Sequence, residues 1–126
     1  MTSAPAPRRE ALATTTVPSA DGTTLVLAVR GFLDYDDSER FLDEAVAHLT
    51  ATPGLRHLRV DCAALGGIDS MGLCVLLMLH RRTAAAGVTL HLDNRPPLLD
   101  RVLTVTGTLE HFDPHHADRD TDGPRR

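Results

Sequence analysis

Two acids and a hydroxyl, Asp34, Asp69 and Ser70, are the residues of this 126-residue chain whose types and settings best suit chemistry. Asp34 ends the run Gly31-Phe32-Leu33, and Asp69 and Ser70 stand in Ile68-Asp69-Ser70-Met71-Gly72-Leu73. A helix beginning there has its orphan amides capped by Asp69 or Ser70, and the positive end of its macrodipole favours a phosphate added to Ser70. A partner can read such a helix start, and a kinase can change its charge. General acid–base work by the two carboxylates is the competing reading, but paired surface acids are common and nothing in the sequence places a pocket between them. On spacing alone Asp34 reads as one of the acids that complement a helix start, with Asp36, Asp37 and Ser38.

The other chemical residue types point away from catalysis. Gly66-Gly67 lacks the further glycines or lysine of nucleotide-binding loops. Asp61 follows a strand as a receiver-type phosphoacceptor does, but the first strand brings no acidic cluster to it. His111, Asp113, His115 and His116 straddle the start of a polar stretch and read as solvated rather than as metal ligands. Cys62 and Cys74 sit in apolar surroundings without a pattern and read as buried reduced thiols, which implies a reducing compartment. No cofactor and no metal is expected.

Composition narrows the partners. The chain is 42% hydrophobic with no Trp, one Tyr and three Phe, so its core is aliphatic and an aromatic platform for stacked bases is excluded. A formal net charge of -4, with no basic run outside the terminal arginines, leaves no footprint for nucleic acid. All 13 basic residues are Arg, which reads as the codon bias of a GC-rich bacterial genome. The N-terminus has no signal-type apolar stretch and the run from 73 to 79 is too short to span a bilayer, so a cytoplasmic protein without a membrane is expected.

The elements that must position Asp34 and Asp69 follow from the changes in hydrophobic period. Residues 11–17 and 24–31 read as a hairpin around Pro18-Ser19-Ala20-Asp21-Gly22. A helix from Asp37 or Ser38 carries Phe41, Leu42, Ala45, Val46 and Leu49 at helical spacing and stops at Pro53-Gly54. Residues 55–61 read as a central strand, Gly66-Gly67 as a turn, and 70–86 as a helix closed by Gly87. A short strand over 88–92, a helix from Pro96-Pro97 to about Val105 and a last short strand over 109–112 complete the order. Residues 1–9 and 113–126 are expected to be disordered tails around a domain spanning 10–112. Strands alternating with helices predict an α/β sandwich, a mixed and mostly parallel sheet of four to five strands with helices packed on it. The helix from Ser70 is apolar nearly all round. Either a neighbouring helix covers its second face, or Met71, Cys74 and Met78 form a soft exposed strip for a partner.

The combination Gly31-Phe32-Leu33-Asp34, a strand ending at Asp61, Ile68-Asp69-Ser70-Met71-Gly72-Leu73, Gly87-Val88-Thr89-Leu90 and Leu103-Thr104-Val105-Thr106-Gly107 before Phe112 resembles a STAS domain, in particular the bacterial anti-sigma factor antagonists. The resemblance covers roughly residues 10–112. It implies a non-enzymatic module that binds an anti-sigma factor, a serine kinase with a kinase-type ATP-binding fold, and so governs sigma-factor availability until phosphorylation abolishes binding. The implied contacts are Asp34, Asp69, Ser70, Met71 and Gly72, flanked by Cys74, Val75 and Met78. In that role Asp69 orients the helix start, Gly72 permits close approach and Ser70 makes a hydrogen bond. The family's phosphorylated hydroxyl stands immediately before the glycine, where this chain has Met71. Ser70 is then the remaining candidate for phosphorylation, and a module that binds without the usual switch is expected, as a monomer or weak dimer. The alternatives are a STAS scaffold or accessory subunit of a transport or signalling complex, for example in lipid transport, and a small-ligand sensor.

Overall fold

A computed structural model describes residues 11–112. The expectations for the two tails lie outside the described residues. The sheet has four strands in the order β1-β2-β3-β4: β1 (Ala13–Pro18), β2 (Thr24–Leu33), β3 (His57–Ile68) and β4 (Thr89–Asp93). β1 runs antiparallel to β2, and β2, β3 and β4 are parallel. The hairpin turn is fastened by Asp21, whose Oδ1 accepts from the Ser19 and Thr23 hydroxyls at 2.7 and 2.8 Å. The helices are α1 (Ser38–Ala51), α2 (Ser70–Ala85), α3 (Pro97–Val105) and α4 (Leu109–Phe112). This is the mixed, mostly parallel α/β arrangement that the alternation of periods implies.

Period-two burial in β2 turns Leu25, Leu27, Val29 and Leu33 towards the helices, and Leu58, Val60, Leu90 and Leu92 continue that face across β3 and β4. Phe41 and Ala45 of α1 and Leu76 and Leu79 of α2 close over them. The second face of α2 is covered in part by α1 and α4, which accounts for much of its all-round apolar character.

Two elements differ from the sequence reading. Gly66-Gly67 is strand, not turn: β3 continues to Ile68, pairing Phe32 with Gly67 and Leu33 with Ile68. The glycines are there because the Phe32 ring lies across them. A Cβ on Gly66 would meet Phe32 Cε1 at 3.3 Å, and one on Gly67 would overlap the ring. Such a ring shields glycine backbone that would otherwise weaken the strand. Residues 109–112 form the helical turn α4 rather than a strand. Leu109 and Phe112, three apart, both face the core, and Phe112 is fully buried.

Candidate functional site

The parallel pairing of Leu33 with Ile68 brings the carboxyl ends of β2 and β3 side by side, so Asp34 and Asp69 leave the sheet at the same edge. Open α/β sheets place their binding crevices outside the carboxyl ends of strands. The two acids do different work there. Asp34 is buried and shapes the start of α1: its Oδ1 accepts from the Asp36 amide at 3.1 Å, and its carbonyl accepts from the amides of Asp37 and Ser38. Asp69 is the N-cap of α2, with Oδ1 accepting from Gly72 N–H at 2.9 Å. Its Oδ2 accepts from Tyr35 N–H at 2.8 Å, which ties the loop after β2 to the start of α2.

Gly72 makes that junction possible. A Cβ there would overlap the Leu33 carbonyl oxygen and meet Ile68 Cγ1 at 2.8 Å, so only glycine lets α2 approach the end of β2 this closely. The close approach expected of Gly72 is therefore made within the chain, and the buried Gly72 and Asp34 offer little surface to a partner.

Between the N-terminal half of α1 and α2 lies an open groove of about 600 Å³. Met71, Val75 and Met78 line one wall, and Tyr35, Asp36, Ser38, Glu39, Leu42 and Asp43 line the other. Met71 is 44% and Met78 38% exposed, and Tyr35 at the rim is 73% exposed, whereas Val75 is buried at its floor. Val75 thus supports the apolar strip from below rather than projecting from it. Ser70 is exposed on the first residue of α2, beside the groove rather than in it. Cys74 is exposed on α2, which corrects its reading as a buried thiol, and it too lies outside the groove lining. Cys62 is buried, and burial, reinforced by the Asp61 charge, pushes its thiol up to about 12. Both thiols are free.

Sequence reasoning missed the α1 wall. Tyr35, Glu39 and Asp43 carry no motif, and the neighbouring Asp36 and Ser38 read as dipole complement to the helix start. The available signal was the spacing of Glu39, Leu42 and Asp43 at i, i+3 and i+4, which puts them on one face of α1, with Tyr35 in the turn before it.

Among the described residues no helix is long and apolar enough to cross a membrane. A family profile described as "Mlab, STAS domain" matches residues 16–110. A STAS-domain containing protein of Pseudomonas aeruginosa is 30% identical over 101 residues, covering 80% of this chain and 97% of that protein. Among solved structures, the anti-sigma factor antagonist SpoIIAA in its unphosphorylated form superposes with a TM-score of 0.67 at 18% identity, over 88% of this chain and 97% of that one. An anti-sigma factor antagonist from Mycobacterium paratuberculosis gives 0.66 at 19%, over 81% and 83%. The murine anion transporter Slc26a9 gives 0.64 at 19% identity, over 74% of this chain and 15% of the transporter. With a profile spanning most of the described residues and a relative matched over nearly its whole length, the chain belongs to the STAS domain family.

Proposed function

We propose that the chain is a non-enzymatic interaction module of the anti-sigma factor antagonist type. It binds an anti-sigma factor with a kinase-type ATP-binding fold through the start of α2 and the groove beside it. The observation that carries this reading is the pair of exposed thioethers, Met71 and Met78, on the wall of a groove whose mouth is locked in place by Asp69. Thioethers repack readily against a partner, and an apolar strip on a fixed corner is an interface rather than a reaction centre. Asp34 and Asp69 support the same reading, since both are engaged in holding backbone amides. Contacts then come from Ser70, Met71, Cys74 and Met78, with Asp34, Asp69, Gly72 and Val75 holding the surface in shape.

A second reading, an accessory subunit of a transport complex, is favoured by the likeness of the fold to part of an anion transporter. Affinity capture from the source organism with the wild-type chain and Met78→Asp as baits, read by mass spectrometry, separates the two. An anti-sigma factor retained by wild type and lost by the variant is the expected result. Transporter subunits in its place would overturn the first reading in favour of the second.

A further inference from the structure

We propose that His57 and His91 form a two-imidazole site for a divalent transition cation of the zinc and copper class, on the face of the sheet turned away from the core. His57 opens β3 and His91 lies within β4, and the parallel register sets Arg59 against His91 and His57 against Thr89. The two histidines are thus diagonal neighbours on the face that alternates with buried Leu58, Leu90 and Leu92. His57 Nδ1 and His91 Nε2 stand 3.0 Å apart, with ring centroids 5.2 Å apart and planes inclined by 36°.

Two imidazole nitrogens on a tetrahedral zinc, each bonded at about 2.0–2.1 Å, are separated by roughly 3.3 Å. That contact is a hydrogen bond, so a cation seated between the rings replaces the proton they share, and the rings must turn so that both lone pairs meet at the ion while the nitrogens part by a few tenths of an ångström. Both rings are half-buried, which limits the rotamer entropy lost on binding while leaving one side open.

The charges facing the pair are Arg59 and Asp93. Arg59 opposes a dication, but its guanidinium is held to Asp93 at 2.9 Å, which sets a carboxylate on the same face. Among the described residues no group of three or more His, Cys, Asp or Glu is placed to hold a metal ion, so a cation here would have two protein ligands and water in its remaining positions. A site gripping through imidazole alone selects zinc and copper over magnesium, which prefers oxygen ligands. A bound ion would tie the edge strand β4 to β3, a role independent of the α1–α2 groove.

The test is calorimetric titration of the full chain with zinc chloride and, separately, magnesium chloride. A His115→Ala/His116→Ala background removes the histidine pair near the C-terminus. One equivalent of zinc and no magnesium should bind, and His57→Gln or His91→Gln should each weaken zinc binding by at least about tenfold, since the second nitrogen binds as an intramolecular event. Zinc should raise the melting temperature of that background but not of the background also carrying His57→Gln and His91→Gln. Unchanged zinc affinity when His57→Gln and His91→Gln are combined, or no binding by the background that retains both histidines, overturns the site. Should the variants fail to fold, the imidazole nitrogen resonances of the unaltered chain decide. Zinc must shift those of His57 and His91, and shifts confined to other histidines overturn the proposal.

Discussion

The carboxylate of Asp69 holds the backbone amide of Tyr35 at 2.8 Å, joining residues 34 positions apart in sequence at the mouth of the groove. Its other oxygen caps α2 through Gly72. One side chain therefore fixes both the entry into α2 and the loop carrying the exposed Tyr35. Asp69→Ala should lose the cap and the tie together, costing about 1–2 kcal/mol or more in urea denaturation. Asp69→Asn can keep one acceptor and should recover part of that loss. An unchanged unfolding midpoint for Asp69→Ala would show that the junction is held by other contacts.

Gly72→Ala probes the same corner from the steric side. The added Cβ collides with backbone at Leu33 rather than with a flexible side chain, so α2 must shift and the cost should reach about 1–3 kcal/mol or beyond. Thermal unfolding measures it. An alanine variant as stable as wild type would show that α2 does not pack so closely on the end of β2.

The order and nature of most elements were legible because the local signals and the tertiary fold agree: Pro96-Pro97 opening α3, Gly87 after α2, and the apolar spacing of Phe41, Leu42 and Ala45 in α1. The misreadings have one cause. Gly66-Gly67 carries a turn signal, yet the Phe32 ring covering it comes from another strand. Leu109 and Phe112 fit a short strand or a helical turn equally well until α2 and α3 supply the surface they pack against. The candidate site divides the same way. On the α2 wall, Met71 and Met78 of the expected strip line the groove while Cys74 does not, and the α1 wall exists only through the parallel pairing that brings Asp34 beside Asp69.

Charge in the groove should separate binding from folding. Met78 is 38% exposed, so Met78→Asp should leave the circular dichroism spectrum intact while weakening partner binding by about 1–3 kcal/mol. Val75→Asp buries its charge at the floor of the groove and should unfold the domain instead. Unchanged affinity for folded Met78→Asp would remove the groove from the interface.

The two thiols should differ sharply towards a maleimide at neutral pH. Cys74 is exposed, whereas Cys62 is buried with its thiol pushed up to about 12, which leaves almost no thiolate. Peptide mapping should find Cys74 modified and Cys62 untouched in the folded protein, with both modified in denaturant. Early labelling of Cys62 would show that β3 opens readily.

Acid should weaken the fold in two stages. His80, partly buried against the rings of His111 and Phe112, and His91, beside Arg59 and His57, both have pKa values lowered from 6.5, chiefly by burial. The unfolded chain then binds protons more readily than the folded one, so stability present above 6.5 is lost as pH falls below it. Asp21, lowered from 3.8 to about 2 by hydrogen bonds in the β1–β2 turn, adds stability present above 3.8 and lost as pH falls towards 2. Urea midpoints between pH 7.5 and 5.5 should fall, and His80→Phe should flatten that slope. A slope identical to wild type would assign it to other groups.

The switch gives the most discriminating test, because the residue before Gly72 is a methionine. Ser70 and Met71 are both exposed at the start of α2, but a one-residue shift on a helix turns a side chain by about 100°, and phosphoryl transfer requires the hydroxyl in line with the γ-phosphate. Incubated with ATP and the anti-sigma kinase proposed as its partner, the wild-type chain should take up no phosphate at Met71 and little or none at Ser70. Met71→Ser should create an acceptor without disturbing the fold, since Met71 is 44% exposed. Once phosphorylated, that serine would carry about -1.5 to -2 charges. It would stand on a groove already lined by Asp36, Glu39 and Asp43, where the added charge meets like charge as well as favourable α2 amides. Partner binding should fall accordingly, as calorimetry on the phosphorylated and unmodified variant would show. Intact-mass analysis with peptide mapping decides the first step: stoichiometric phosphate on wild-type Ser70, coupled to loss of binding, would show that the acceptor has moved by one residue and that the chain is switched after all.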